Sequence, residues 1–192
     1  MMRFRIFLSL AAAVFLVLAC GSDPTGSGEP SYGQYSLGWG QDLADPVRDE
    51  QLPDGVLSMI TCININDEGE LEFGIPWQFY YMDDSDTTEV LVVLVQYLGT
   101  TNYLWGDTTS IPMGELPDYN DAGPWLDAAR DSLGAAYDDW EEYAMTVNAN
   151  PYPEFPWVSN VAIIQFFSPD TTEQVSAIID ADENDVLAII QY

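Results

Sequence analysis

"QFYYMDDSDTTEVLVVLV", residues 78–95, sets two runs of strand-forming residues around a turn rich in acids, serine and threonine. Phe, Tyr and Val pack well on a pleated surface, whereas Asp, Ser and Thr suit the backbone of a tight connection. The stretch reads as an antiparallel hairpin. Val90 to Val95 is apolar throughout, as expected of a central strand buried on both faces. "QFFSPDTTEQVSAIID", residues 165–180, repeats the order of aromatic strand end, Asp-Thr-Thr-Glu and aliphatic strand, and Pro-Trp precedes each stretch, at 76–77 and 156–157. Two copies 84 residues apart are what a duplicated helix-plus-hairpin unit would leave; chance recurrence of turn-friendly residues is the rival reading.

Upstream, "VLSMITCINI" and "GELEFG" are further strand candidates, with Leu57, Met59, Ile63 and Ile65 on one face of the first. Residues 101–123 read as a linker containing Gly106, Pro112, Gly114 and Pro117. Pro124 suits the first turn of a helix, where its missing N–H has no partner to lose. Beyond it Trp125, Leu126, Ala129, Leu133, Ala136, Tyr137, Trp140 and Tyr143 recur at three- and four-residue spacing, with most acids elsewhere. This predicts an amphipathic helix of about 20 residues. "NVAIIQFF", "EQVSAIID" and "DVLAIIQY" complete the strands. The fold class expected is α+β, an antiparallel β-sheet packed against one main amphipathic helix.

The closing segment "SAIIDADENDVLAIIQY" resembles the terminal hairpin of PepSY-type domains, with Asp180, Asp185, Val186 and Leu187 in pattern, Asn184 in place of the usual glycine and Glu183 in place of threonine. Asparagine enters the left-handed region more readily than most residues, so it can serve there. The resemblance covers roughly residues 124–192 and implies an exported protein with a binding, inhibitory or regulatory role.

At the other end, Arg3 and Arg5 precede an apolar run of 14 residues, Ile6 to Ala19, broken only by Ser9. A membrane-spanning helix needs about 20 residues, so the run reads as a secretory signal. Val17-Leu18-Ala19-Cys20 resembles the lipobox of bacterial lipoproteins, although Leu18 stands where a smaller residue is commoner. The resemblance implies cleavage before Cys20 and lipidation of its sulfur; plain secretion with cleavage near Ala19 is the alternative. Residues 1–19 are thus expected to be a signal peptide and residues 20–41 a lipidated cysteine with a Gly/Ser/Pro-rich tether. A single acidic domain is expected over residues 42–192, its first half β-rich to residue 100 and its helix and hairpins from 124. Gly21 after the cysteine favours the outer membrane or cell surface over inner-membrane retention, where that sorting rule applies.

Charge narrows the function. The chain holds 32 acidic residues against 4 arginines, with no lysine or histidine, for a net charge of −28. Loss of residues 1–19 would remove two of those arginines and leave Arg48 and Arg130. Such a surface repels nucleic acid, whose binding requires basic groups. Absent histidine and lysine exclude Ser-His-Asp and Cys-His catalysis, histidine metal sites, lysine Schiff bases and P-loops. The acidity fits either a saline habitat or an ordinary acidic exported protein. Cys62, the remaining thiol, reads as a buried structural residue.

No constellation rises to a catalytic, cofactor or metal site. Asp180, Asp182 and Asn184 open with the spacing of a calcium loop, but Asp185 and Gln191 occupy the positions that need glycine and glutamate. The acidic turns "NINDEGE" and "DDSDTTE" could recruit calcium weakly. The pairs Asp138-Asp139 and Glu141-Glu142 are the kind a carboxylate hydrolase uses, but pairs are common in so acidic a chain. Trp39 and Trp105 are candidates for exposed sugar- or peptide-binding aromatics, and Trp125 and Trp140 for the core. The function expected is a non-enzymatic, cofactor-free binding module held on the cell envelope through Cys20, with an envelope or protein partner. A calcium- or carbohydrate-dependent adhesion module and a carboxylate hydrolase are the alternatives.

Overall fold

The computed structural model describes residues 35–83, 89–107, 115–116, 119, 121–140, 142–170 and 172–192. The chain separates into units 1–31 and 32–192, and every described residue belongs to the second. In chain order the elements are α1 (Leu37–Gln51), β1 (Gly55–Ile65), β2 (Trp77–Asp83), β3 (Glu89–Val95), β4 (Thr101–Asp107), α2 (Ala122–Leu133), a 3-10 turn (Ala135–Tyr137), β5 (Glu142–Ala149), β6 (Asn160–Phe167), β7 (Gln174–Asp180) and β8 (Val186–Gln191). The strands form one antiparallel sheet in the order β4-β3-β2-β1-β5-β6-β7-β8.

This corrects the expected architecture. Two helices pack on the sheet instead of one, and the element following each helix is a four-stranded meander, not a hairpin. β1 and β5 meet at the centre, so the order runs outward from each of them to an edge. The two similar stretches fall at matching places, on β2–β3 and on β6–β7. β3 is buried on both faces, yet it lies next to the edge strand and not at the centre.

The 101–123 linker and the long helix also give way. "TNYLWGD" is β4. α2 has 12 residues and stops at Gly134, whose φ of 75° ends the helical ladder. Beyond that glycine, Tyr143, Met145 and Val147 alternate inward along β5. The tether expected to reach residue 41 ends earlier, because α1 begins at Leu37, where the Ser36 side chain accepts a hydrogen bond from Trp39 N–H. Pro46 lies within α1 without ending it.

One face of the sheet carries both helices. α1 lies across β2, β3 and β4, and α2 across β6, β7 and β8. Leu37, Trp77, Phe79, Tyr81, Leu91, Trp125, Leu126, Tyr143, Ile164 and Phe166 share one core between the layers. Gly40 brings α1 close, since a Cβ there would stand 2.8 Å from Trp77 Cδ1. On β1 the inward residues are Leu57, Ile60, Cys62 and Ile65, because irregularities in the ladder at 57–59 and 62–65 shift the phase of alternation. Met59 and Ile63, expected beside Leu57, therefore point to the opposite face. The β7–β8 turn follows the sequence closely: Asn184 adopts φ 62°, and Asp180 accepts hydrogen bonds from the N–H groups of Asp182 and Glu183.

Candidate functional site

The face without helices is built by the alternate residues of the same strands. Register places Leu104, Val92, Tyr80, Met59, Asn148, Val161 and Asp180 in one cross-strand row, and Asn102, Leu94, Gln78, Thr61, Thr146, Ile163 and Ile178 in the next. The first row carries no charge from β4 to β6 and ends in Asp180 on β7, and the second contains no charged residue. Parts of this face are covered: Tyr152, Phe155 and Val158 from the β5–β6 connection pack on Val161, Ile163 and Ile178. Met82, Val90 and Val92 cluster with Tyr80 and Leu94 nearer the β4 edge. Between these clusters runs a strip of neutral polar side chains, Gln78, Thr61, Thr146 and Gln165, all half-buried. Ile63, 64% exposed, and Leu104, 46% exposed, add apolar surface on the same face. Two side-chain oxygens buried on this face, Asn148 Oδ1 and Ser176 Oγ, have no hydrogen-bond partner. Withdrawing such groups from water without a partner costs about 1–3 kcal/mol each.

A second feature lies at the helix-covered face. Arg130 on α2 reaches Asp67 and Tyr143: its guanidinium donates to Asp67 Oδ1 and to the Tyr143 hydroxyl, and it lies 5.0 Å from the Tyr143 ring centroid. Burial opposes the Arg130 charge, but Tyr143 and Asp67 outweigh it and raise its pKa. Beside them opens a cavity of about 280 Å³ lined by Asp67, Leu133, Gly134, Tyr137, Asp138 and Phe166. Its single cation is already committed to internal partners.

The residues singled out in sequence scatter. Cys20 and the turn at 84–88 lie outside the described residues. Cys62 is buried, and burial first of all pushes its thiol up to about 12, which makes it a poor nucleophile. Asp138 and Asp139 are exposed in the turn before β5, and Glu141 lies outside the described residues. Among the described residues no group of three His, Cys, Asp or Glu side chains is placed to hold a metal ion. Trp125 is fully buried, its indole N–H donating to the carbonyl of Ala181. Trp140 is half-buried, as is Trp39 on α1, whereas Trp105 is 44% exposed on the edge strand. Sequence reading missed this face because β4 was assigned to a linker and β5 was given no strand, its first two residues falling at the end of the expected helix. The alternation in "EYAMTVNA" was the signal available.

No family model and no curated protein matches the chain. Among solved structures, a "putative lipoprotein" from Clostridium difficile 630 has a similar fold, with a TM-score of 0.56 at 7% identity over 85% of this chain and 97% of that one. At that identity the likeness is one of fold. No helix among the described residues is long and apolar enough to cross a membrane.

Proposed function

We propose that the chain is an exported lipoprotein, lipidated on Cys20, whose domain is a non-catalytic binding module that engages its partner through the helix-free face of the sheet. The observation that carries the reading is that both rows on that face are free of charge from β4 to β6, in a chain holding 32 carboxylates. Covering a carboxylate with a partner removes it from water at considerable cost. The surface that a partner can cover most readily is the stretch of β4 to β6 that carries no carboxylate in these rows. The signal sequence, the lipobox-like Val17-Leu18-Ala19-Cys20 and the PepSY-like closing hairpin support the same reading, as does a fold shared with a protein described as a lipoprotein.

Envelope extracts passed over the immobilised domain test the binding face. Thr146→Glu places a carboxylate in the middle of the uncharged strip, whereas Asp127→Asn alters an exposed position on α2. A specific partner is retained by wild type and Asp127→Asn and lost by Thr146→Glu. Equal retention by all three would refute the assignment of the face. Intact mass of the native product tests the anchor: a chain beginning at Cys20 with added acyl mass is expected, and one retaining residues 1–19 would refute it.

A further inference from the structure

We propose that the end of the sheet from which the chain runs back to Cys20 lies against the bilayer and inserts the side chains of Phe73 and Leu98, an inference that rests on the lipid anchor proposed above. Trp77 at the start of β2 pairs with Val95 at the end of β3, and Val95 pairs with Thr101 at the start of β4. The connections 66–76 and 96–100 therefore project from one end of the sheet. Tyr35, the first described residue, sits at this end: its carbonyl accepts hydrogen bonds from Leu71 N–H at 2.9 Å and Trp77 Nε1 at 3.0 Å. Its ring stacks on Tyr97 at 4.1 Å, and Phe73 meets Tyr97 edge-on at 5.7 Å.

Phe73 and Leu98 are 80% and 79% exposed, the highest values among the large apolar side chains described. Leu98 is at the tip of a turn in which Gly99 N–H bonds to Gln96 C=O and Gln96 N–H to Thr100 C=O. Those two bonds close the base of the turn and hold Leu98 out at its tip. Behind it stand Tyr35, Trp39 and Tyr97, half-buried aromatics of the kind that settle at a membrane–water interface.

What the patch meets follows from where the chain goes. Cys20 is 15 residues before Tyr35, a separation of at most about 50 Å even when fully extended. A covalent link of that length makes membrane contact intramolecular, so that an insertion too weak to hold a free domain suffices here. Electrostatic attraction cannot supply the contact. The chain has no lysine, Arg48 donates to the Gly55 carbonyl at the opposite end of β1, and Arg130 is held by Asp67 and Tyr143. Glu70 and Glu72 beside Phe73 add a preference for zwitterionic over anionic lipid.

A chain beginning at residue 21 behind an N-terminal histidine tag can be held on phosphatidylcholine vesicles containing a nickel-chelating lipid, since the sequence has no histidine of its own. An environment-sensitive thiol-reactive fluorophore is placed in turn on Phe73→Cys, Leu98→Cys and, as the distal control, Glu154→Cys; Cys62 is buried and escapes labelling. The expected result is a blue shift and quenching by nitroxide-headgroup lipids for the probes at 73 and 98, with neither at 154. Phosphatidylglycerol in place of phosphatidylcholine reduces the shift, most at low salt. Probes at 73 and 98 no better quenched than the one at 154 would overturn the inference. An unacylated native product would instead overturn the anchor and leave the vesicle result as a property of the patch alone, so the two failures are distinguishable.

Discussion

Replacing Gly69 by alanine tests how the β1–β2 connection supports α2. The segment Asn66–Glu70 is a tight turn: Gly69 N–H bonds to the Asn66 carbonyl, and the Asn66 side chain accepts from the N–H groups of Glu68 and Glu70. Gly69 itself has φ 78°, and a Cβ there would stand 2.5 Å from Gly123 N and 2.7 Å from Ala122 C, in the first turn of α2. Both are backbone atoms, so relief requires moving the helix. The left-handed conformation costs a non-glycine residue about 1–2 kcal/mol, and lower unfolded-state entropy returns about 0.4–1 kcal/mol. Overpacking against a fixed backbone adds about 1–3 kcal/mol, for a net loss of roughly 2–4 kcal/mol. In a domain of this size that lowers Tm by about 5–15 °C. Gly74→Ala is the control, because Gly74 has φ 95° but no atom within 4 Å of its Cβ position. Its loss is expected to stay near 1 kcal/mol, the conformational part alone. Thermal melts of the two variants followed by circular dichroism give the comparison. Equal melting temperatures would refute the packing of α2 on this turn.

Asp121 accepts hydrogen bonds from Leu37 N–H and from Ala122 N–H, the first residues of α1 and α2, so Asp121→Ala is expected to cost about 1–2 kcal/mol in urea unfolding while Asp121→Asn retains most of the stability. Burial raises the Cys62 thiol from 9.0 to about 12. Above pH 9 the unfolded thiol ionises while the folded one keeps its proton, so stability that is complete below that pH falls by about 1.4 kcal/mol per unit until about 12. Tyr81, raised by burial and then by Asp45, acts in the same direction, and Cys62→Ala is expected to make the alkaline loss of stability shallower. Finally, Tm is expected to rise between 0.1 M and 1 M sodium chloride as the screening length shortens from about 10 Å to 3 Å, and a fall would show that carboxylate repulsion does not limit stability.

The sheet was legible where alternation or apolar runs were flanked by turn chemistry, as on β2, β3, β6, β7 and β8. It was obscured where two periods overlap. Tyr137, Trp140 and Tyr143 keep helical spacing with the residues of α2, yet Tyr143 also begins the alternation Tyr143, Met145, Val147. Gly134 decides between them by closing the helix. α1 was legible only as the helix that a duplication would require in "LADPVRDEQL", residues 43–52, and its earlier start was obscured because Gly38, Gly40 and Pro46 are poor helix formers. Tertiary packing compensates: Gly40 is the residue that lets α1 settle on Trp77 and Phe79. β1 was placed correctly but phased wrongly, since ladder irregularities change which side chains point inward and only the partner strands reveal them. The candidate face was illegible for the same reason, as its charge-free stretch emerges only after the six strands from β4 to β6 are set in register.

The two proposed surfaces constrain each other. Phe73 and Leu98 lie where β2, β3 and β4 begin or end, so contact with a bilayer at these tips directs the strands away from the membrane. The sheet then stands edge-on to the lipid, with its helix-free face open sideways to a partner on the same surface. Trp157 and Glu154, on the β5–β6 connection at the far end, point away from the bilayer. A domain lying flat on that face would instead bury both rows in lipid and withdraw them from any partner. The quenching experiment separates these orientations, because a flat arrangement would place a probe at Thr146 as deep as one at Phe73, whereas the upright arrangement leaves it in water.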